Sequence, residues 1–420
     1  MPSLRARLHA ATGGLSPVFW VLWWGVLVNR AASFVVGFLA LFLVRERGFG
    51  QSAAGQVLAL YGLGGMVASL AGGALADRVG RRVTMVASLA LNAAAVGGLA
   101  AVRAPWLIAA VTLIAGAAGQ MYPPALNAAV ADVVPFAERP RAFGLVYWAA
   151  NVGFGFGYAL AGVVGTHSLP ALFALDAATT CAFALLVALK VPETRPAGLE
   201  HDPVLAGLRR VLADGPFLGF LGLHLVALLV FTQWEVVFPL DVAAHGVGPG
   251  GYAFLLWLNC AGAVLLQPLL GPWLRGKDSA RILAGSALLF GLGYGLNTLE
   301  GGLPLYAVGV ALWTLGEVLG FPAASTLTAD LAPPALRGRY QGVFVTTWGA
   351  AFALSPLLSS ALAAWAGART VWLACLAAGA LAALGHLAAA GPRRRLLATR
   401  AGEALAPEPG EAPRRDSHAL

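Results

Sequence analysis

Long apolar stretches separated by short polar loops run through most of the chain. A helix that crosses the hydrocarbon core of a bilayer needs about 20 mostly apolar residues. Twelve stretches reach about that length, with approximate spans 17–44, 53–76, 83–102, 105–130, 142–165, 169–190, 216–240, 250–274, 280–299, 303–329, 341–364 and 369–390. The pattern predicts an all-α membrane protein with twelve transmembrane helices. The first stretch follows Arg5 and Arg7, but it is longer than the apolar region of a secretory signal peptide.

Two polar segments interrupt this pattern and indicate how the chain is organised. The first covers residues 191–215 and holds charged side chains that include Glu193, Arg195, Glu200, Asp202, Arg209 and Arg210. The second follows Gly391 and is rich in Arg, Pro, Glu and Ala, a composition typical of disorder. We therefore predict a six-helix bundle over 1–190, a cytoplasmic linker over 191–215, a second six-helix bundle over 216–390 and a disordered cytoplasmic tail over 391–420.

Composition narrows the class of protein. Of the 420 residues, 59% are hydrophobic and 11% are charged, against about 45–50% and about 25% in soluble domains. So few charges could not cover the surface of a soluble protein of this size. The composition argues against a cytosolic enzyme, a disordered chain and a nucleic-acid-binding domain. The three cysteines and seven histidines are dispersed, so we expect no disulfide framework and no metal site.

The basic residues predict the orientation of the chain. With the N-terminus placed in the cytoplasm, the cytoplasmic segments hold 22 of the 27 Lys and Arg residues and the outer loops hold 4. The remaining one, Arg30, lies inside a span. This bias follows the positive-inside rule, so we expect a multi-pass protein of the cell inner or plasma membrane with both termini cytoplasmic. The net charge of +8 is then an attraction to anionic membrane lipids and gives no support to nucleic-acid binding.

The two halves of the chain repeat. A shift of 198 places residues 124–144 on 322–342 with nine of 21 positions identical. Among the matched pairs are Asp132 with Asp330 and Arg139 with Arg337. The fourth and fifth spans therefore correspond to the tenth and eleventh. This predicts a parallel repeat about an axis along the membrane normal, with a substrate site near midplane between the halves.

The loop after the second span carries the most specific motif. In it, three residues separate Gly73 from Asp77-Arg78, and one further residue separates these from Gly80-Arg81-Arg82. This resembles the signature loop of the major facilitator superfamily, and the resemblance covers nearly the whole chain. It implies two pseudo-symmetric six-helix bundles that work by alternating access around one central site.

The resemblance also implies a cytoplasmic gate. In it, Asp77 and Arg81 form a charge cluster with Asp132 and the start of the eleventh span, where a helix N-terminus favours a carboxylate. The predicted gate residues are Gly73, Asp77, Arg78, Gly80, Arg81, Arg82, Asp132 and Arg141. The alternative is that these arginines only determine topology.

Several segments are similar to the bacterial multidrug-resistance branch of that superfamily. They are Asn29-Arg30, residues 151–157, Phe238-Pro239-Leu240, Asn259, Gln267 and Gly316-Glu317. Two positions depart from the pattern of proton-coupled exporters. Tyr158 and Ala161 replace a proline and a glycine of the antiporter motif, and Thr112 stands where many exporters carry an arginine. Proton coupling must then use other residues.

Charged residues inside the predicted spans are candidates for that role, because a charge at the bilayer centre is costly. Arg30 and Glu317 each lie near midplane, and Glu235 lies nearer the outer face. We expect Glu317 to take up and release a proton while Arg30 tunes its proton affinity. The alternative is a static Arg30–Glu317 pair that fixes helix packing. For Asp176, on a peripheral span, we favour a structural role.

Polar and aromatic side chains complete the predicted cavity. Tyr122 and Trp313 offer aromatic faces to a lipophilic substrate. Asn29, Asn151 and Asn259 offer hydrogen bonds at membrane depth, although bonds between helices would explain them equally well.

Nucleotide-driven transport and catalysis are not expected. Residues 271–278 nearly spell a phosphate-binding loop, but Asp278 replaces the required Ser or Thr. No nucleophile–base pair stands out, so we predict neither an enzyme nor a cofactor. The interpretation is a monomeric secondary transporter that exports lipophilic drug-like small molecules in exchange for protons. Two alternatives stay open: a proton-linked importer or metabolite exporter on the same fold, and a non-transporting membrane receptor or assembly protein.

Overall fold

A computed structural model describes residues 14–33, 35–164, 168–196, 203–235, 237–274, 276–299 and 301–405. Over these ranges the chain forms sixteen α-helices and no β-strand, which confirms the all-α prediction. Successive long helices run in opposite directions. One end of the molecule therefore carries the loop at residues 79–80 and the polar segment that starts at Val191. We call it the linker end.

The helices divide into two sets along the chain. The first half contains α1 (Pro17–Arg30), α2 (Val35–Arg47), α3 (Gln51–Arg78), α4 (Arg81–Ala101), α5 (Pro105–Val133), α6 (Arg139–Val164) and α7 (Leu169–Lys190). The short helix α8 (Val204–Ala213) follows in the linker. The second half contains α9 (Gly215–Phe231), α10 (Phe238–Ala244), α11 (Pro249–Leu274), α12 (Ser279–Gly295), α13 (Gly302–Leu331), α14 (Arg337–Ala366) and α15 (Ala368–Ala388), and α16 (Ala390–Leu405) ends the described chain.

Short 3₁₀ turns adjoin several of these helices. They are Phe136–Glu138, Thr232–Glu235, Leu296–Leu299 and Pro334–Leu336. The halves meet where α3, α5 and α6 pack against α11, α13 and α14. These six helices therefore form the boundary at which a site between the halves can lie.

Ten helical stretches of the described chain are long and apolar enough to cross a membrane. The two predicted spans that are not among them are the first and the fifth. The first is split between α1 and α2, which have 14 and 13 residues. The fifth corresponds to α6, which has 26 residues. The all-α membrane architecture is thus confirmed.

Two spans that the hydrophobic pattern predicts as continuous are broken in the structure. In one, α1 ends at Arg30 and α2 begins at Val35, and in the other, α9 ends at Phe231 and α10 begins at Phe238. Both breaks lie in the first span of their half, although the repeat shift of 198 places the end of α1 at residue 228, three residues before α9 ends. At the second break, polar side chains bond the free backbone: Thr232 Oγ1 donates to the Leu228 carbonyl at 2.9 Å and Gln233 Nε2 to that of Leu229 at 2.9 Å. Hydropathy alone does not detect such a break, because an apolar segment stays apolar when its backbone bends.

The predicted disorder of the tail is wrong for its first part. Helix α16 forms over Ala390–Leu405 because Ala, Leu and Arg are strong helix formers. Its Arg393 is buried, and one guanidinium nitrogen lies 3.0 Å from His386 Nδ1 of α15. The helix is thus docked on the second half. Residues 406–420 lie outside the described chain.

Glycine allows the closest helix contacts of the first half. A Cβ atom on Gly116 of α5 would lie 2.0 Å from the Tyr61 carbonyl oxygen of α3, and one on Gly72 would lie 2.4 Å from that of Met121. Small residues let membrane helices approach in this way and gain van der Waals contact. The α3–α5 pair therefore depends on these glycines.

This contact predicts the effect of adding one methyl group. Gly116→Ala should destabilise the protein by about 1–3 kcal/mol, because the tightly packed helices must separate. The control is Gly62→Ala on α3, where nothing lies within 4 Å of the added carbon. The measurement is the thermal unfolding midpoint in detergent. Equal midpoints for the two variants would contradict the proposed packing.

Candidate substrate cavity and gate

A cavity of about 380 Å³ lies between the two halves. Helices α1, α5 and α6 line it from the first half, and α9, α13 and α14 line it from the second. Its aromatic wall consists of Tyr122, Phe143, Tyr147, Phe154, Phe231, Trp234, Phe321, Phe344, Trp348 and Phe352. A mostly apolar wall with a few polar groups is typical of a small-molecule site.

Among the described residues, Glu317 is the acidic group of the cavity wall, and it lies midway along α13. It is 6% exposed. Its Oε1 accepts a hydrogen bond from the Tyr147 hydroxyl of α6, and its Oε2 accepts one from Asn259 Nδ2 of α11 at 2.8 Å. The same Asn259 amide donates to Thr314 Oγ1 at 3.0 Å. Because Tyr147 belongs to the first half, the carboxyl joins the two halves at the level of the cavity.

Arg30 also lines the cavity, at the C-terminal end of α1 where the first span breaks. Its guanidinium carbon lies 5.3 Å from the centre of the Phe154 ring. Among the carboxylates whose side chains the structure describes, none lies within 4.0 Å of this guanidinium. Arg30 and Glu317 thus share one cavity without forming the static ion pair that we considered as an alternative.

The other predicted cavity residues fall into two groups. Asn151 lines the cavity, and its amide donates to the Tyr147 carbonyl at 3.0 Å. Tyr122 also lines it and donates to Asn29 Oδ1 at 3.4 Å. Asn29 itself lies behind the wall and donates to Thr180 Oγ1 at 2.8 Å. It therefore bonds α1 to α7 within the first half and does not face the cavity.

Two further expectations differ from the structure or fall outside it. Trp313 lies in the core of the second half, 2% exposed, with its ring stacked on Tyr294 at 5.8 Å. It does not line the cavity, because its indole packs towards α12. The backbone of Glu235 belongs to the 3₁₀ turn at the second break, but its side chain lies outside the described part of the chain. Asp176 is buried on α7 and accepts a bond from Thr180 at 3.3 Å.

The predicted gate forms a buried network at the linker end. Asp77 Oδ1 accepts from Arg81 at 2.8 Å and from the Gly338 backbone N–H at 2.7 Å, and its Oδ2 accepts from the Arg339 N–H at 2.9 Å. The carboxylate of α3 thus binds the N-terminus of α14 in the other half. Arg81 continues the network to Asp132 Oδ2 at 3.2 Å. The partial positive charge of a helix N-terminus favours this arrangement.

Two ion pairs cross the boundary in a reciprocal pattern. Arg337 of the second half binds Asp132 of the first, with Nη1 2.5 Å from Oδ1. Arg139 of the first half binds Asp330 of the second at 2.7 Å. The shift of 198 converts one pair into the other. Each half therefore supplies one acid and one base to its partner.

Glycine brings the halves together between these charges. A Cβ atom on Gly73 of α3 would lie 2.2 Å from the Gly338 carbonyl oxygen of α14. The two helices therefore cross at backbone contact. Beside them, the loop residue Gly80 has φ of 122°, a conformation that disfavours other residues. The structure is accordingly closed at the linker end.

Three predicted gate residues lie outside this network. Arg78 is exposed, and its carbonyl accepts a bond from Arg195 at 2.7 Å. Arg82 donates to the Ala188 carbonyl within the first half. Arg141 is buried and pairs with Glu138 at 3.0 Å. These three contacts do not join the first half to the second half.

Sequence reasoning missed several members of the gate. Arg139, Asp330 and Arg337 make the reciprocal pairs, and Glu193 accepts from the backbone N–H of Arg81 at 2.8 Å. The internal repeat was the available signal, because it aligns Asp132 with Asp330 and Arg139 with Arg337. Glu193 had no such signal, since it lies in the polar linker.

Ten helical stretches of the described chain are long and apolar enough to cross a membrane, and the two halves enclose an aromatic cavity with a few polar side chains. This arrangement is typical of a multi-pass membrane transporter. The chain belongs to the major facilitator superfamily, whose family model matches residues 22–245 and again residues 223–413. Members of this family are transporters and not enzymes.

Three curated relatives are each about one quarter identical to the chain. The uncharacterized MFS-type transporter YhjO of Bacillus subtilis is 24% identical over 83% of this chain and 87% of its own length. A Na(+), Li(+), K(+)/H(+) antiporter of Planococcus maritimus is 25% identical over 81% and 88%. The multidrug resistance protein MdtH of Salmonella typhimurium is 26% identical over 73% and 78%.

A solved structure shows the same fold. The human organic anion transporter MFSD10 superposes with a TM-score of 0.76 at 18% identity, over 88% of this chain and 98% of that one. At this identity the likeness concerns the fold alone.

The reciprocal pairs predict a coupled effect of neutralising their members. Arg139→Gln and Asp330→Asn should each open the linker end, because each leaves one buried charge without its partner. The double variant should open it less than the sum of the two, with a coupling free energy of about 0.5–3 kcal/mol. Opening can be measured as the reactivity of a single cysteine at the cavity residue Ser325 towards a charged reagent.

The control for this cycle is Arg209→Gln, an exposed residue of α8, with Cys181, Cys260 and Cys375 changed to serine throughout. Strictly additive effects of Arg139→Gln and Asp330→Asn would show that the pair does not hold the halves together.

Proposed function

We propose that the protein exports lipophilic drug-like small molecules in exchange for protons, with the central cavity as the substrate site and Glu317 as the group that carries the proton. The observation that carries this proposal is the position of Glu317. It is a buried carboxyl in an aromatic cavity, bonded to both halves through Tyr147 and Asn259. The names of the multidrug resistance relative and of the antiporter relative support export and proton exchange.

The aromatic wall suits a lipophilic substrate. Ten aromatic side chains face about 380 Å³, and burying apolar surface against them gives binding free energy without a fixed set of hydrogen bonds. Such a surface discriminates by size and shape. Arg30 adds hydrogen-bond donors at one edge of the cavity.

Protonation and deprotonation of Glu317 would change the strength of a hydrogen bond that joins the two halves. The Tyr147 hydroxyl donates across the boundary between the halves to Glu317. A hydrogen bond to an ionised carboxylate is about twice as strong as one between neutral groups. Protonation therefore weakens a contact between α6 and α13 and favours rocking of one half against the other. Loss of the proton restores the bond.

Alternating access also requires that one end of the protein can close and reopen, and the gate provides this at the linker end. In the present conformation Asp77, Asp132 and Asp330 hold the linker end closed. Opening that end exposes their charges to water, which replaces the lost bonds. We propose that the linker end is cytoplasmic in the inner or plasma membrane, as the positive-inside bias indicates. The protein would act as a monomer, with small-molecule substrate, protons and membrane lipids as its partners.

A second candidate is a proton-linked importer or metabolite exporter. The observation that favours it is Arg30, whose guanidinium lines the cavity with no carboxylate of a described side chain within 4.0 Å. Such a cation would bind a substrate that carries an anionic group. Proton and anion would then bind together, because protonation of Glu317 makes the cavity more positive.

The test uses vesicles that contain the protein and are energised to an acid interior. A panel of lipophilic neutral, cationic and anionic compounds is added while a pH-sensitive dye reports the interior. We expect substrate-evoked proton release in wild type and its loss in Glu317→Gln. The matched control is Glu46→Gln, which removes an exposed carboxylate outside the cavity and should leave release unchanged.

Other outcomes would contradict the proposal. Release that survives in Glu317→Gln would exclude this carboxyl as the proton carrier. Release evoked by sodium, lithium or potassium salts alone would indicate the activity named for the Planococcus relative.

Arg30 distinguishes the two candidates. For an anionic substrate, Arg30→Gln should lower the apparent affinity by about tenfold or more, since a charge-assisted hydrogen bond contributes about 1.5–3 kcal/mol. For neutral compounds of the same shape the change should be small. Binding isotherms for an aromatic carboxylate and its amide would measure the difference. Equal losses for both compounds would rule out the importer or metabolite candidate in its anion-binding form.

A further inference from the structure

A second and larger cavity lies at the linker end, outside the central site. It encloses about 740 Å³. Its walls are the turn between α11 and α12, the end of α13, helix α16 and the 3₁₀ turn Phe136–Glu138 of the first half. We call it the basic pocket, after its cations Lys277, Arg281, Arg393 and Arg394.

The basic pocket holds more positive than negative charge. Its acid Asp278 lies 3.4 Å from Arg394, and its acid Asp330 is bound by Arg139. Among the carboxylates whose side chains the structure describes, none lies within 4.0 Å of the charged group of Lys277, Arg281 or Arg393. Among the described side chains, the four cations of the pocket therefore share one acid, Asp278, that no cation outside the pocket binds within 4.0 Å.

Arg393 makes this imbalance costly. It is only 5% exposed, and its partners are the His386 ring nitrogen at 3.0 Å and the Phe220 ring at 5.8 Å. Neither partner carries negative charge when the histidine accepts the bond. A buried guanidinium is unfavourable unless negative charge compensates it. Asp278 acts on Arg393 only from beyond 4.0 Å and is shared with Arg394, so an anion that enters the pocket would add to this compensation.

The depth of the basic pocket indicates where such an anion would come from. It lies where α11 ends at Leu274, α12 begins at Ser279 and α13 ends at Leu331. Helices of membrane length end at the level of the lipid headgroups. Along α11, Leu265, Leu269 and Trp273 are spaced four residues apart and are 67%, 66% and 53% exposed. They form an apolar stripe that leads to the pocket.

We propose that the basic pocket binds the phosphate headgroup of one anionic phospholipid, whose acyl chain lies along the stripe formed by Leu265, Leu269 and Trp273. The phosphate is held by Lys277, Arg281 and Arg393. Guanidinium and ammonium groups match phosphate oxygens in charge and hydrogen bonding. The stripe gives the acyl chain an apolar surface that a soluble phosphate would not use.

The same lipid contacts both halves. Phe136, Ala137 and Pro140 of the first half line the pocket, while its cations come from the second half. Asp330 in the wall also belongs to the gate. The pocket is therefore complete only while the linker end is closed, so lipid binding favours the closed conformation.

The test compares lipid binding by the full chain in detergent using native mass spectrometry. Wild type should retain one phosphatidylglycerol in preference to phosphatidylcholine. Lys277→Gln with Arg281→Gln should weaken that binding by about 30-fold, the effect of losing two basic groups near an anionic headgroup. The control, Lys190→Gln with Arg209→Gln, removes the same charge from exposed positions at the same end and should change it little. Equal losses in both double variants would overturn the proposal.

Further measurements distinguish three sources of the anion: a phospholipid, soluble phosphate and the acidic residues of 406–420. Leu265→Ala with Leu269→Ala, at stripe positions outside the pocket lining, should weaken phosphatidylglycerol binding but leave the binding of inorganic phosphate unaffected. Inorganic phosphate at millimolar concentration that displaces the lipid and binds equally well would assign the pocket to a soluble phosphate. Phosphatidylglycerol that binds only after residues 406–420 are removed would assign it to the acidic side chains of the chain's own C-terminus. Either result would contradict the lipid assignment.

Discussion

Buried charge at the boundary between the two halves is the constraint on which the closed conformation depends. Asp77 binds Arg81 and two backbone N–H groups of α14, and the Asp132–Arg337 and Arg139–Asp330 pairs cross the same boundary. Inside a protein, such pairs gain little net stability over water, because desolvation offsets most of the attraction. These pairs therefore serve mainly to fix how the two halves are positioned against each other. A boundary made of bonds that water can replace holds one conformation without preventing the other.

The backbone breaks serve the central site in a comparable way. Helix α1 ends at Arg30 before α2 begins at Val35, and α9 ends at Phe231 before α10 begins at Phe238. Irregular backbone at membrane depth is tolerated only where it is buried or lines a cavity. Arg30 ends the first of these helices and Trp234 lies in the second break, and both line the cavity. Each half thus has one break in its first span, and both breaks border the same site.

Two groups of contacts join the halves at different depths, and this links the cavity to the gate. The Tyr147–Glu317 bond joins α6 to α13 at the cavity. Helices α6 and α13 also carry Arg139 and Asp330 near their linker ends. A change in protonation at Glu317 therefore acts on the same two rigid helices that the ion pair connects. Coupling between sites requires such a shared element with two arrangements.

The sequence by itself determined the architecture. An apolar run of membrane length has few structural solutions in lipid, because every backbone group must find a partner. The helices, the halves related by a shift of 198 and the signature loop around Asp77 could therefore be read from residue pattern alone. The charges of Arg30 and Glu317 at membrane depth could be found for the same reason.

Only the tertiary structure decided which of these residues meet. Asn29 and Trp313 have the depth and chemistry of cavity residues, yet one bonds Thr180 and the other stacks on Tyr294. Arg30 and Glu317 share a cavity without an ion pair. Hydropathy and motif spacing report a residue's depth and identity. Packing between segments that are distant in sequence decides the rest. It decides which face of a helix contacts its neighbours, where α1–α2 and α9–α10 break, and how α16 docks.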